Sequence, residues 1–202
     1  MAWDMLLGIL QTSFRAVPSW VIFPMSHKRH CRESVRLDAK HGAGVPAPRH
    51  VRRKDEGVEE VGWTAWGDSL LFGTTGEARR LEAFRFALAD QPLAGGIEYA
   101  AHVQGVGWQP SASDGAVAGT EGESRRVEAL RIALTGEMAA EYSVWYRVHS
   151  QSYGWLGWAH DGEEAGTTGL AKRAEAVEVQ VLPAGQVPAG YDSSVAACVV
   201  GL

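Results

Sequence analysis

The 202-residue sequence has little cysteine and no long apolar run. Its two cysteines, Cys31 and Cys198, stand near opposite ends of the chain. Because a disulfide framework shows several spaced cysteines, we expect two unrelated thiols. No segment reaches the roughly 18–20 uninterrupted apolar residues of a membrane span. Residues 1–25 come nearest, but polar residues interrupt them, and they lack the basic start and the small-residue cleavage site of a signal peptide.

Motifs of catalysis and cofactor binding are also missing from the sequence. It contains no phosphate loop, no dinucleotide-binding glycine pattern and no Gly-x-Ser-x-Gly elbow. The segment from His27 to Cys31 holds metal-ligating residue types but lacks a second ligand pair at zinc-like spacing. The paired carboxylates Glu163 and Glu164 fall in a predicted turn, where we expect them to be solvated. These absences predict a protein that is not an enzyme and that uses no cofactor or metal.

Charge is distributed unevenly along the chain. Residues 1–54 carry ten Lys and Arg against three Asp and Glu, a net +7, whereas residues 55–202 carry nine against 21, a net −12. Such a break marks a boundary between segments. We predict a basic, poorly ordered or loosely packed extension over 1–50, a β domain over 51–190 and a tail over 191–202. The acidic body lacks the basic face that nucleic-acid binding requires.

The sequence is rich in glycine and tryptophan, with 24 and 8 residues, and many of these recur in three copies of one unit of roughly 46 residues. Each copy has a Gly-Trp pair, then a Gly-Thr pair, then an arginine two residues before a Glu-Ala pair. We predict units of about 51–90, 95–136 and 141–182. The recurring residues that we interpret as structural anchors are Trp63, Trp108 and Trp155, Gly73, Gly119 and Gly166, and Arg80, Arg126 and Arg173.

Both ends of each unit alternate between apolar and polar residues, which predicts strands that face a core on one side. At the end of copy two, Glu128, Leu130, Ile132 and Leu134 share one face. The sequence therefore predicts an all-β fold with two long strands and a short middle strand per unit. In copy one the segment 51–54 is polar where the first strand should lie. We expect that strand to be frayed, or replaced in part by residues further upstream.

A single unit is too small to cover its own apolar faces, so the three copies must pack together. We predict that they close into a pseudo-three-fold domain that is β-prism-like or trefoil-like. Closure removes exposed strand edges. An open solenoid is the alternative.

The segment from Tyr99 to Trp108, followed by Asp114-Gly115, Gly119-Thr120 and Arg126-Val-Glu128-Ala129, resembles the ChW repeat, a clostridial hydrophobic repeat with a characteristic tryptophan. The resemblance recurs in register over about two thirds of the chain. It implies a non-catalytic, secreted or cell-wall-associated module of Gram-positive bacteria that binds a polysaccharide, a wall polymer or a surface partner. The function predicted is thus glycan binding at the cell surface, and the alternative is a protein-interaction or adhesion scaffold.

The candidate ligand-binding residues are aromatic and polar. The recurring tryptophans suit core anchors, with a sugar-stacking platform as the alternative. Trp66 and Trp158 are the better ligand candidates, because copy two has Ser111 at that position. Polar side chains on the first long strand offer hydrogen bonds to a sugar, or bonds between strands. These polar candidates are His102, Gln104, His149 and Gln151. The recurring Arg and Glu residues are expected to form ion pairs across neighbouring strands.

Overall fold

A computed structural model describes residues 35–42, 71–89 and 91–201, the first of these ranges as backbone only. The strands of copy one are β1 (Val35–Gly42), β2 (Leu71–Gly73) and β3 (Arg80–Leu88). Those of copy two are β4 (Ile97–Val103), β5 (Gly107–Trp108), β6 (Ala112–Ser113), β7 (Ala118–Gly119) and β8 (Val127–Leu134). After a four-residue helix, α1 (Met138–Glu141), copy three forms β9 (Tyr142–Ser150), β10 (Gly154–Trp155), β11 (Ala159–His160), β12 (Ala165–Thr168) and β13 (Ala174–Pro183). The last strand is β14 (Cys198–Val200).

Helix is confined to α1 within the described ranges, so the prediction of an all-β fold is confirmed. The long strands of each copy pair antiparallel, as β1 with β3, β4 with β8 and β9 with β13. The second long strand of each copy, which we call the tail strand (β3, β8 and β13), has one residue more than its partner strand, and this makes a β-bulge. The bulged residues are the repeated glutamates Glu82, Glu128 and Glu175. Beyond the bulge, the predicted alternation of buried and less buried residues holds.

The short strand of each copy pairs with the tail strand of another copy. β7 of copy two pairs with β3 of copy one, β12 of copy three with β8 of copy two, and β2 of copy one with β13 of copy three. The Gly-Thr pair thereby meets the Glu-Ala pair of the neighbour, and the Thr120 amide donates to the Glu82 carbonyl at 2.9 Å. These pairings explain why the two dipeptides recur together in the sequence.

Glycine is required where these strands meet. Gly119 has a φ of +103°, and a Cβ there would overlap the carbonyl oxygen of Glu82 and lie 2.7 Å from the Cα of Ala83. Gly73 and Gly166 make the same approach to the bulges of copies three and two. The short strands can therefore pair closely only because these positions carry no side chain.

One apolar core joins the three copies. Phe84 and Phe86 of copy one pack against Tyr99 of copy two, with ring centroids 5.8 and 5.0 Å from the tyrosine. The hydroxyls of Tyr99 and Tyr146 donate to the carbonyls of Ala116 and Glu163 at 2.5 Å, which ties the core to the Asp-Gly turns. Burial raises the pKa of Tyr146 well above its ordinary value. Each buried phenylalanine contributes about 2–3 kcal/mol of transfer free energy.

The described strands form three sheets, and none of the three closes on itself. Strand β1 lies upstream of residue 51 and occupies the place of copy one's first strand, which was one of the two alternatives for that copy. The described ranges do not include the other residues of the predicted extension or residues 43–70. Trp63 and Trp66 therefore lie outside them. The predicted domain boundaries therefore stay predictions. No helix of the described part of the chain is long and apolar enough to cross a membrane.

Candidate functional site

The repeated glutamates each hold an ion pair beside the bulge. Glu128 is 6% exposed and accepts a 2.9 Å contact from the Arg126 guanidinium, while the Nδ1 of His102 lies 3.2 Å from its other oxygen. Copy three repeats the arrangement around Glu175, and in copy one Arg80 and Glu82 lie 2.7 Å apart. Each arginine pairs with the glutamate two residues later in its own copy, whereas the histidine contacts the glutamate from the neighbouring strand. The expectation that the arginines pair with glutamates across neighbouring strands was therefore wrong.

The first long strands of copies two and three, β4 and β9, are called the head strands here. Their histidines are held by neighbouring side chains. Across the β4–β5 pair, the ring of His102 meets the indole of Trp108 edge-on, with centroids 5.4 Å apart. His149 and Trp155 repeat this contact at the same distance. Both imidazoles are thus fixed between a glutamate and an indole. Their predicted ligand contacts stay a prediction.

The two candidate glutamines lie just past these head strands, and both are half-buried. The backbone amide of Gln104 donates to the carbonyl of Arg126 at 3.0 Å, and that of Gln151 donates to Arg173 at 2.9 Å. These bonds anchor the backbone at the turn. The ligand role of the two side chains also stays a prediction.

The tryptophans differ in how much of each is exposed. Trp108 and Trp155, which we expected to be core anchors, are partly exposed, whereas Trp158 is 7% exposed. The guanidinium of Arg147 lies 4.9 Å from the ring of Trp155 and 4.7 Å from that of Trp158. Little of Trp158 is therefore left for a ligand to touch.

A pocket of about 190 Å³ opens beside Trp108 in copy two. Its polar lining comes from four side chains, and the rest of its lining comes from Trp108, from apolar residues of β4 and β8 and from a glycine of copy three. The polar lining residues are Glu98, Gln109, Ser111 and Arg131. An aromatic wall with a few polar groups around a concave surface is the usual composition of a small-molecule site.

The pocket exists because copy two has smaller residues than copy three at equivalent positions. Ala100 and Ser111 of copy two correspond to Arg147 and Trp158 of copy three. Glu98 corresponds to Trp145, which is buried against His160 and Tyr191. In copy three these large side chains therefore occupy the space that is open in copy two.

Arg131 forms one wall of the pocket and links two copies. Its guanidinium lies 4.1 Å from the ring of Trp108, a cation–π contact, and pairs with the carboxylate of Glu164 in copy three. Glu164, which we expected to be solvated, keeps 34% of its side chain exposed, and the fold also brings it to Arg131. The ion pair fixes the arginine beside the indole.

The C-terminal segment covers copy three at the position equivalent to the open side of copy two. β14 pairs in parallel with β12, and the Gly166 amide donates to the carbonyl of Ala197 at 3.0 Å. In copy two the side chain of Gln109 takes this place, accepting from the Gly119 amide at 2.8 Å. In copy two one side chain thus takes the position of a strand, and no segment of the described residues covers the neighbouring pocket.

Cys198 in that segment is a free thiol, with its Sγ 3.8 Å from a carboxylate oxygen of Glu164. Burial, and secondarily the glutamate, raises the pKa of the thiol to about 11. Cys31 lies outside the described residues.

We expect Cys198 to react with iodoacetamide at pH 8 about a hundredfold more slowly than an exposed cysteine, because so little of it is thiolate. The rate should rise steadily as the pH approaches 11. The measurement uses a Cys31→Ser variant, with free cysteine as the reference. A rate at pH 8 equal to that of free cysteine would contradict the expectation.

The sequence pattern did not single out the pocket residues Glu98, Ala100, Gln109 and Arg131. For Glu98 and Ala100 a signal does exist, the difference in side-chain size between aligned copies, and it is the same signal that singled out Ser111. In the described part of the chain, no group of three His, Cys, Asp or Glu side chains is placed to hold a metal ion.

Comparison with known proteins agrees with the repeat seen in the structure. The family model described as "Clostridial hydrophobic W" matches residues 58–90, 102–136 and 149–183. These stretches of 33, 35 and 35 residues cover 103 of the 202 positions, just over half of the chain. Searches of curated proteins and of solved structures gave no significant match. The chain therefore belongs to the ChW family, of which it carries three tandem copies.

Proposed function

We propose that this chain is a non-catalytic glycan-binding module of the bacterial cell surface or of a secreted protein, and that it binds a sugar ring in the pocket beside Trp108. The observation that carries the proposal is the pocket of copy two, which the described residues leave open and which joins a partly exposed indole to four polar side chains. A sugar ring presents one face of C–H groups to an aromatic surface and a rim of hydroxyls to polar groups.

We further propose that the three sheets close about a pseudo-three-fold axis, in a prism-like arrangement. The support is that the pairing of the short strands is cyclic. The short strand of copy one pairs with copy three, that of copy two with copy one, and that of copy three with copy two. Closure gives each short strand a partner and leaves fewer exposed edges than a solenoid would.

A glycan array followed by calorimetric titration of the full chain tests the binding function. Trp108→Ala should weaken binding about tenfold or more, because a central aromatic anchor carries much of the energy of such a site. Ser111→Trp should abolish binding, since it places the residue of copy three where the pocket opens.

Trp155→Ala is the matched control, as it truncates the equivalent tryptophan of copy three and should leave affinity unchanged. If no glycan binds, or if Ser111→Trp binds as well as the unmodified chain, the pocket is not a sugar site.

A protein-interaction module is the second candidate, and one observation favours it. Val106 and Tyr153 stand at equivalent turns of copies two and three and are 53% and 44% exposed. Exposed apolar residues repeated on one surface are typical of a protein contact. Because these residues lie outside the pocket lining, Ser111→Trp would leave such an interaction intact, which separates the two candidates.

A further inference from the structure

The charges that line the pocket do not cancel. Of the lining side chains two are charged, Glu98 and Arg131. Arg131 is already paired with Glu164 and lies against Trp108. The side chain of Glu98 is exposed, and its carboxylate has no hydrogen bond or ion pair among the described residues. The charge left to face a ligand is therefore negative.

The charge of the surrounding domain has the same sign. Residues 55–202 carry a net charge of −12. A field of this sign raises the local concentration of cationic ligands and repels anionic ones. Polymers rich in phosphate or carboxylate groups are therefore disfavoured at this site, whereas an ammonium group is attracted to it.

We propose that the pocket selects a sugar ring that carries a free amino group, whose ammonium donates to the carboxylate of Glu98 while the ring packs beside Trp108; this inference rests on the proposed glycan-binding function. A hydrogen bond between an ammonium and a carboxylate is stronger than one between neutral groups. N-acetylation removes the positive charge and so removes this contribution. Glu98 thus acts as the specificity-determining residue of the site.

The test is calorimetric titration of the full chain with two oligosaccharides of equal length, one of glucosamine and one of N-acetylglucosamine. The buffer is mildly acidic, so that the amino groups are protonated while carboxylates stay ionised. We expect the glucosamine oligomer to bind about tenfold more tightly. The difference should shrink as salt is added, because screening weakens partly exposed charge pairs.

Glu98→Gln should remove most of the preference while keeping the affinity for the acetylated oligomer. Glu137→Gln, which makes the same charge change outside the pocket lining, should keep the preference. Equal affinities for the two oligomers, or tighter binding of a uronic-acid oligomer, would overturn the selection of amino sugars and leave glycan binding in place. If no glycan of any class binds, the proposed function itself fails.

Discussion

Gly119→Ala is expected to destabilise the folded chain by about 3 kcal/mol or more. The methyl group would overlap the carbonyl oxygen of Glu82 and press on the Cα of Ala83, and both are backbone atoms that cannot move aside alone. The φ of +103° adds strain for any residue with a side chain. Because β7 pairs there with β3, the change separates copy two from copy one. Urea denaturation followed by tryptophan fluorescence measures the loss.

Gly122→Ala is the matched control, because it lies in the same copy and also has a positive φ, +72°, but no atom would lie within 4 Å of its Cβ. We expect it to cost about 1 kcal/mol, which is the left-handed strain alone, because the clear space around Gly122 holds for every described residue. Equal losses for the two variants would show that the close approach at Gly119 is not what requires glycine.

Glu128→Ala is expected to cost about 3 kcal/mol of stability. Its carboxylate is buried between the Arg126 guanidinium and the His102 ring, and removing one member of a buried ion pair leaves the remaining charge without its partner. Gly166 of copy three packs against the bulge at Glu128, so we expect the substitution to destabilise both copy two and copy three. Thermal and urea unfolding both report it.

Glu123→Ala removes an ion pair of similar spacing, since Glu123 and Arg125 lie 2.9 Å apart, but more than two fifths of each side chain is exposed. Such a surface pair contributes under about 1 kcal/mol. A cost at Glu128 no larger than that at Glu123 would mean that burial adds nothing to the repeated pair.

The repeated elements could be predicted from the sequence because each signal occurs three times. Alternation predicted the faces of β8 and β13, and the recurring Gly-Trp, Gly-Thr and Glu-Ala pairs marked the three copies, but no pattern predicted the bulges at the glutamates. The prediction that the chain contains three ChW copies is confirmed by the family match. A local pattern of period two is enough to predict such strands, since burial on one face sets the pattern.

The pocket could not be predicted in the same way, because it depends on which copy lies beside which. No sequence pattern indicated that Glu164 would pair with Arg131, 33 residues earlier in the chain. The repeated Arg and Glu residues suggested pairing across strands, whereas the partner of each arginine is two residues away. A comparison of side-chain volumes between copies would have identified Ala100 and Ser111 as an opening.

The pairing of β2 with β13 sets the order in which the molecule can be completed during synthesis. Phe72 pairs with Val177, 105 residues later in the chain. Because the ribosome makes the chain from its N-terminus, β2 cannot form this pairing until β13 has been synthesised. Contacts this distant in sequence slow folding, because a long loop must close before they form. Copy one is therefore synthesised first, but its strand pairing is completed only after copy three has been synthesised.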